Sequence, residues 1–111
     1  PELKLRVDGE SYLVPSEAAA TVALVINEVV QNALKYAAPS AELPEIALSV
    51  ERSNRYGSIS IRDNGDGIDE ESAAGLGMKI IDVLVTEKLK GRISRTSGRE
   101  GTTVRFDFLL V

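Results

Sequence analysis

Asn27-Glu28-Val29-Val30-Gln31-Asn32-Ala33-Leu34-Lys35-Tyr36 and Asp63-Asn64-Gly65-Asp66-Gly67-Ile68, the latter followed by Gly75-Leu76-Gly77-Met78, are the stretches on which the reading of this chain turns. The first closes a segment rich in Ala, Val and Glu. Pro15-Ser16 opens that segment, with Ser16 as its cap, and Pro39 stops it, so the expectation is one long helix reaching about Ala37. Within it, Val22, Val25, Ile26, Val29 and Ala33 form an apolar stripe that should face a sheet. Glu28, Asn32, Lys35 and Tyr36 recur at three- and four-residue steps along a neighbouring stripe. One stripe packs and the other can meet a ligand.

Working outward, Leu3, Leu5 and Val7 alternate with Lys4 and Arg6, the period of a half-buried strand, and Asp8-Gly9 marks a turn. Ile46, Leu48 and Val50, then Ile59 and Ile61, give two further strands joined across Asn54 to Gly57 as a hairpin. Residues 63–75 have the composition of a loop. A second helix is expected from about Gly77, with Ile80, Ile81, Leu84 and Val85 at helical spacing and Gly91 closing the segment. Strands over Arg92 to Thr96 and Thr102 to Leu109, joined at Gly98-Arg99-Glu100-Gly101, complete the chain. Strand, helix, hairpin, loop, helix and hairpin imply an α/β (α+β) two-layer sandwich, a mainly antiparallel mixed sheet with helices on one face.

The polar stripe combines a carboxylate, a carboxamide, an ammonium and a phenol. An amide oxygen at Asn32 suits Mg²⁺, a hard cation usually shared with substrate phosphates, and the Lys35 ammonium suits phosphate charge. Taken alone, the stripe also reads as an ordinary solvated helix face. Asp63 directly follows a strand, and Gly65 and Gly67 let the backbone turn beside a ligand, although Asp and Gly also make plain turns. The carboxylates Asp63, Asp66, Asp69, Glu70 and Glu71 lack the spacing of a calcium-binding EF-hand loop. Gly75 and Gly77 bring small residues to a helix start, where N–H groups can meet an anion.

In this order the motifs resemble the nucleotide-binding domain of the GHKL superfamily, which includes DNA gyrase B, heat-shock chaperones of this fold, sensor histidine kinases and MutL. Asn27 to Tyr36 resembles the N box, Asp63 to Gly67 the G1 box, and Gly75 to Gly77 the G2 box. Gly101-Thr102-Thr103-Val104-Arg105-Phe106 is similar to the Gly-Thr strand that closes the pocket. Only seven residues separate Gly67 from Gly75, without a Phe-containing motif, so the resemblance is strongest to the catalytic domain of a short-lid sensor histidine kinase close to the HWE kinases.

That resemblance implies ATP and Mg²⁺ as cofactors. It implies that Asp63 accepts a hydrogen bond from the adenine amino group and that Thr102 supports the contact. Gly65 and Gly67 would pass beside the base, with Ile68 and Met78 as pocket walls. Asn32 would hold Mg²⁺, Lys35 would contact phosphate, Tyr36 would flank the nucleotide, and Gly75 and Gly77 would let the lid embrace the phosphates. Glu28 would position the attacking imidazole of a partner segment, making Glu28 and Lys35 the implied catalytic pair. The implied partners are a dimerisation and histidine phosphotransfer domain of the same protein and a downstream response regulator. A nucleotide-sensing docking module and an anti-sigma-type Ser/Thr kinase share the fold and stand as alternatives.

Composition sets the remaining bounds. A chain of 111 residues with 43% hydrophobic side chains suits a single domain, residues 1–111. The absence of cysteine excludes disulfides and thiolate zinc sites and suits a cytoplasmic setting. The absence of histidine excludes imidazole acid/base chemistry and any phosphoacceptor histidine within these residues. The longest apolar runs fall well short of the roughly 20 residues of a membrane helix, so no membrane contact is expected. Beginning with Pro1 and lacking a basic-then-apolar leader, the sequence reads as an excised piece of a longer protein. The net charge of −4 conceals a basic excess after residue 78, but no basic, aromatic-rich face suggests a nucleic-acid ligand.

Overall fold

The computed structural model describes residues 3–37, 43–65 and 76–110; for residues 36, 37, 76 and 77 it describes the backbone only. Five strands, β1 (Lys4–Gly9), β2 (Glu45–Ser53), β3 (Tyr56–Asp63), β4 (Ile93–Gly98) and β5 (Gly101–Leu109), form one sheet in the order β1-β2-β3-β5-β4. The β1–β2 pair is parallel and the other three are antiparallel. Helix α1 (Ser16–Asn32) continues into a π-helical turn, Ala33–Ala37, and helix α2 (Leu76–Val83) continues into another, Leu84–Lys88. The expected mixed, mainly antiparallel two-layer sandwich is therefore the fold.

Alternation along the strands decides what faces the helices. Ile59 and Ile61 on β3, Val104, Phe106 and Phe108 on β5, and Ile46 on β2 are buried with Val22, Val25, Val29 and Ala33 of the first helical segment and Ile81 and Val85 of the second. Phe106 and Phe108 are essentially fully buried, and each such side chain contributes about 1.5–3 kcal/mol of transfer free energy. The same two-residue period turns Asp63 and Thr102, next in their respective rows, towards the helical layer. Strand geometry thus delivers a carboxylate and a hydroxyl to one end of the core.

Several local expectations need correction. Ser16 is the first helical residue rather than a side-chain cap; Pro15 occupies the cap, and its carbonyl accepts the Ala18 and Ala19 N–H groups at 2.9 and 3.0 Å. Ile26 is only half-buried beside the fully covered Val22, Val25 and Val29 stripe. The hairpin turn is confined to Asn54 and Arg55; Gly57 lies within β3, paired with Arg52 and Phe108, and the Phe108 ring occupies the space a Cβ there would take. β4 runs from Ile93 to Gly98, one residue later at its start and two at its end than the sequence pattern indicates.

β1 departs most from expectation. Its alternation is present, yet all six residues are exposed. Leu5 and Val7 lie beside Ile46 and Leu48 in register, on the helix side of the sheet, but the helical layer does not extend over them. Among the described residues, no helix is long and apolar enough to cross a membrane.

Candidate functional site

Asp63 anchors the site. It ends β3 with a relative exposure of only 3%, and its Oδ1 accepts hydrogen bonds from the backbone N–H groups of Gly65 at 2.9 Å and Thr102 at 3.3 Å. The first bond closes the turn that leaves the strand, as an Asp side chain does when it bonds the backbone two residues on. The second ties β3 to the start of β5. Both bonds use Oδ1; among the described residues no donor bonds Oδ2, which can accept from an amine.

The neighbouring residues tie down the backbone around Asp63. Asn64 Oδ1 accepts the Glu45 N–H at 2.8 Å and its Nδ2 donates to the Leu43 carbonyl at 2.9 Å, pinning the chain after Asp63 to the start of β2. Gly101, with φ +124°, lies so close to the Asp63 carbonyl that any Cβ would fall on that oxygen. The hydroxyls of Thr102 and Ser97 are 3.0 Å apart across the β4–β5 pair. A buried Asp, Thr and Gly therefore share one rigid corner.

The end of the first helix carries the other described candidates. Asn32, at its last α-helical position, directs Nδ2 to the sulfur of buried Met78 at 3.7 Å, joining the end of α1 to the start of α2. Such a contact is weak, but with Nδ2 so placed the amide oxygen points elsewhere and can accept or coordinate. Glu28, one turn earlier, is half-buried, and Lys35 is exposed in the π-turn. The wider turn modifies the expected straight stripe: Glu28 and Asn32 keep α-helical spacing, whereas Lys35 and Tyr36 follow the i→i+5 geometry found often at functional sites.

The structure therefore brings together Asp63, Gly65 and Thr102 at the strand ends, and Asn32 and Met78 at the helix ends. Gly77 lies in the first turn of α2. Gly67, Ile68 and Gly75 lie outside the described residues, as does the side chain of Tyr36. Sequence reasoning did not assign roles to Asn64 or Ser97. Asn64 carries a signal in its Asp-Asn-Gly setting, whereas Ser97 has none until the hairpin register places it opposite Thr102. A cavity of about 480 Å³ bounded by Pro15, Lys88 and Leu110 includes none of these residues.

The fold is that of histidine kinase catalytic domains. The histidine kinase domain of the Erythrobacter litoralis blue-light-activated kinase superposes with a TM-score of 0.86 at 29% identity, covering 97% of this chain and 52% of that one. The catalytic domain of the histidine kinase ThkA shares the fold at 18% identity, with a TM-score of 0.80, over 97% of this chain and 78% of its own. Residues 17–111 match the histidine kinase-, DNA gyrase B- and HSP90-like ATPase family, and the chain belongs to that family. The sensor histidine kinase PdtaS of Mycobacterium tuberculosis is 32% identical over 102 residues, covering 86% of this chain and 20% of that protein. Blue-light-activated histidine kinase 2 of Erythrobacter litoralis is 30% identical over 113 aligned positions, covering 97% of this chain and 32% of that protein. The chain thus spans between a fifth and a third of the length of these relatives.

Proposed function

We propose that this chain is the single ATP-binding catalytic domain of a longer sensor histidine kinase, and that it donates the γ-phosphoryl group of Mg-ATP to a histidine on a dimerisation and phosphoacceptor domain of the same protein. The observation that carries the reading is the buried Asp63 carboxylate, held through Oδ1 by two backbone amides with Oδ2 available to the adenine amino group. Family membership and the named kinase relatives support nucleotide use in this setting.

Thr102 steadies Asp63 through its N–H, and Met78 contributes an apolar wall. By likeness to the family motifs, Gly65 and Gly67, followed by Ile68, would pass beside the base, Gly75 and Gly77 would flank the phosphates, and Tyr36 would border the nucleotide. The Asn32 amide, with Nδ2 turned to Met78, offers its neutral oxygen to Mg²⁺. When bound, Mg²⁺ neutralises phosphate charge.

Phosphoryl transfer depends chiefly on positioning and charge stabilisation. An imidazole nitrogen of the acceptor forms the N–P bond as the bond from the γ-phosphorus to the β–γ bridging oxygen breaks and ADP departs. Glu28 orients that imidazole by accepting a hydrogen bond from its other nitrogen, and Lys35 offsets phosphate charge. This chain has no histidine, so the acceptor lies outside these residues. A response-regulator aspartate in the cytoplasm then receives the group.

The test combines this chain with a separately expressed histidine-bearing helical hairpin and γ-labelled ATP. An acid-labile, base-stable label on the hairpin is the expected product. ATP binding without transfer favours a nucleotide-sensing module, and an acid-stable product favours a Ser/Thr kinase; either result overturns the proposal.

A further inference from the structure

We infer that β1 is a self-association edge, pairing antiparallel with β1 of a second copy about a two-fold axis through Val7. Among the described residues β1 is the terminal strand of the sheet, and its six residues are exposed. Leu5 and Val7 are 61% and 63% exposed, although they continue the row that on β2 holds Ile46 and Leu48 against the core. An apolar row left uncovered beside an open edge has the composition of an interface rather than of a solvated strand.

Backbone direction supports the same edge. Lys4 N–H bonds the Pro44 carbonyl and Glu10 N–H bonds the Val50 carbonyl, so even-numbered residues turn their N–H groups to β2. The polar groups of Leu5, Val7 and Gly9 consequently point away from the sheet. A second strand must pair odd with odd residues, leaving only a few registers.

Charge chooses among those registers. Centred on Val7, antiparallel pairing sets Arg6 opposite Asp8 of the second copy, twice by symmetry, and Leu5 opposite its Gly9, with no like-charged pair within the strand. Centred on Leu5, it sets Lys4 against Arg6. Centred on Arg6, it places two guanidinium groups on the axis. Arg6 and Asp8 already sit 2.8 Å apart within one chain, so both side chains lie on the same sheet face and can share their charges across the axis. Lys and Arg on an edge ordinarily repel a second strand; here the alternating signs complement each other. The occupant that fits is a second copy of this chain, in an isologous contact that continues the sheet.

The chain has no cysteine, which permits a direct test of register. Val7→Cys places two thiols opposite each other at the axis, within disulfide reach, whereas Leu5→Cys faces Gly9 of the second copy. Sedimentation of the 111-residue chain should show a concentration-dependent dimer. Val7→Cys should oxidise to a covalent dimer much faster than Leu5→Cys. Arg6→Asp, an exposed change that keeps the fold by circular dichroism, should weaken association about tenfold through its two reversed pairs, and Arg6→Asp with Asp8→Arg should restore it. A monomer at millimolar concentration, which leaves the edge to a strand of different sequence, overturns the inference. Equal crosslinking of the two cysteine variants, or a dimer indifferent to Arg6→Asp, overturns it as well.

Discussion

Gly101→Ala is the most informative single change at the Asp63 corner. At Gly101 φ is +124°, where an L side chain is strained, and an added Cβ would fall on the Asp63 carbonyl oxygen, with the carbonyl carbon at 2.9 Å and Asn64 Cα at 3.1 Å. The obstacle is backbone, so no side chain can swing away. Strain at a sparsely populated dihedral costs about 1–3 kcal/mol. Forcing the β3 and β5 ends apart adds overpacking of about 1–3 kcal/mol. A loss of about 3 kcal/mol is expected, a fall in melting temperature of roughly 12–24 °C for a domain of this size. The control is Gly98→Ala at the paired position of the same hairpin, where an added Cβ meets nothing within 4 Å. Thermal and urea unfolding of the two variants provide the assay, with nucleotide titration below the melting transition. Gly101→Ala should also weaken nucleotide binding because the Thr102 N–H to Asp63 bond lies beside the distortion. Equal stability of the two variants would refute the close approach of β5 to Asp63 and the rigid corner built on it.

Three further outcomes follow from the same structure. Glu28→Ala should leave nucleotide affinity within about threefold while slowing transfer to the acceptor histidine by about a hundredfold, measured with labelled ATP. Asn64→Ala removes the bonds to Glu45 N–H and Leu43 C=O and should cost about 1 kcal/mol in urea unfolding, with several-fold weaker nucleotide binding. Burial holds the Tyr12 phenol above its usual pKa, so the folded state retains the proton longer than the unfolded chain; stability is fully present below pH 10 and falls as pH rises beyond it. Tyr12→Phe, which removes that buried hydroxyl, should abolish that alkaline loss in melts across this range.

What could be read in advance follows from which forces are local. Period-two alternation marked the strands, and the Val22, Val25, Val29 and Ala33 stripe marked the buried face of the helix, because both depend on neighbours close in sequence. Asp63 and Thr102 were legible as a pair only through motif resemblance. Their meeting depends on long-range register, which becomes evident once Ile59, Ile61 and Asp63 are seen to share a face with Thr102 and Val104. The π-turn at Ala33–Ala37 left no apolar signature distinct from an α-helix, so the positions of Lys35 and Tyr36 could not be anticipated from spacing. β1 shows the opposite limit: Leu3, Leu5 and Val7 alternate as a half-buried strand does, but alternation cannot report whether a second layer reaches far enough to cover them.

In the proposed function the fixed Asp63 carboxylate reads an adenine amino group. Calorimetric titration of this chain with Mg-ATP and Mg-GTP tests it most directly, because guanine presents a carbonyl oxygen where adenine presents the amine. ATP should bind at least about tenfold tighter than GTP, with that preference lost in Asp63→Asn while the folded spectrum is retained. Equal affinities for the two nucleotides, or an unchanged preference in Asp63→Asn, would contradict it.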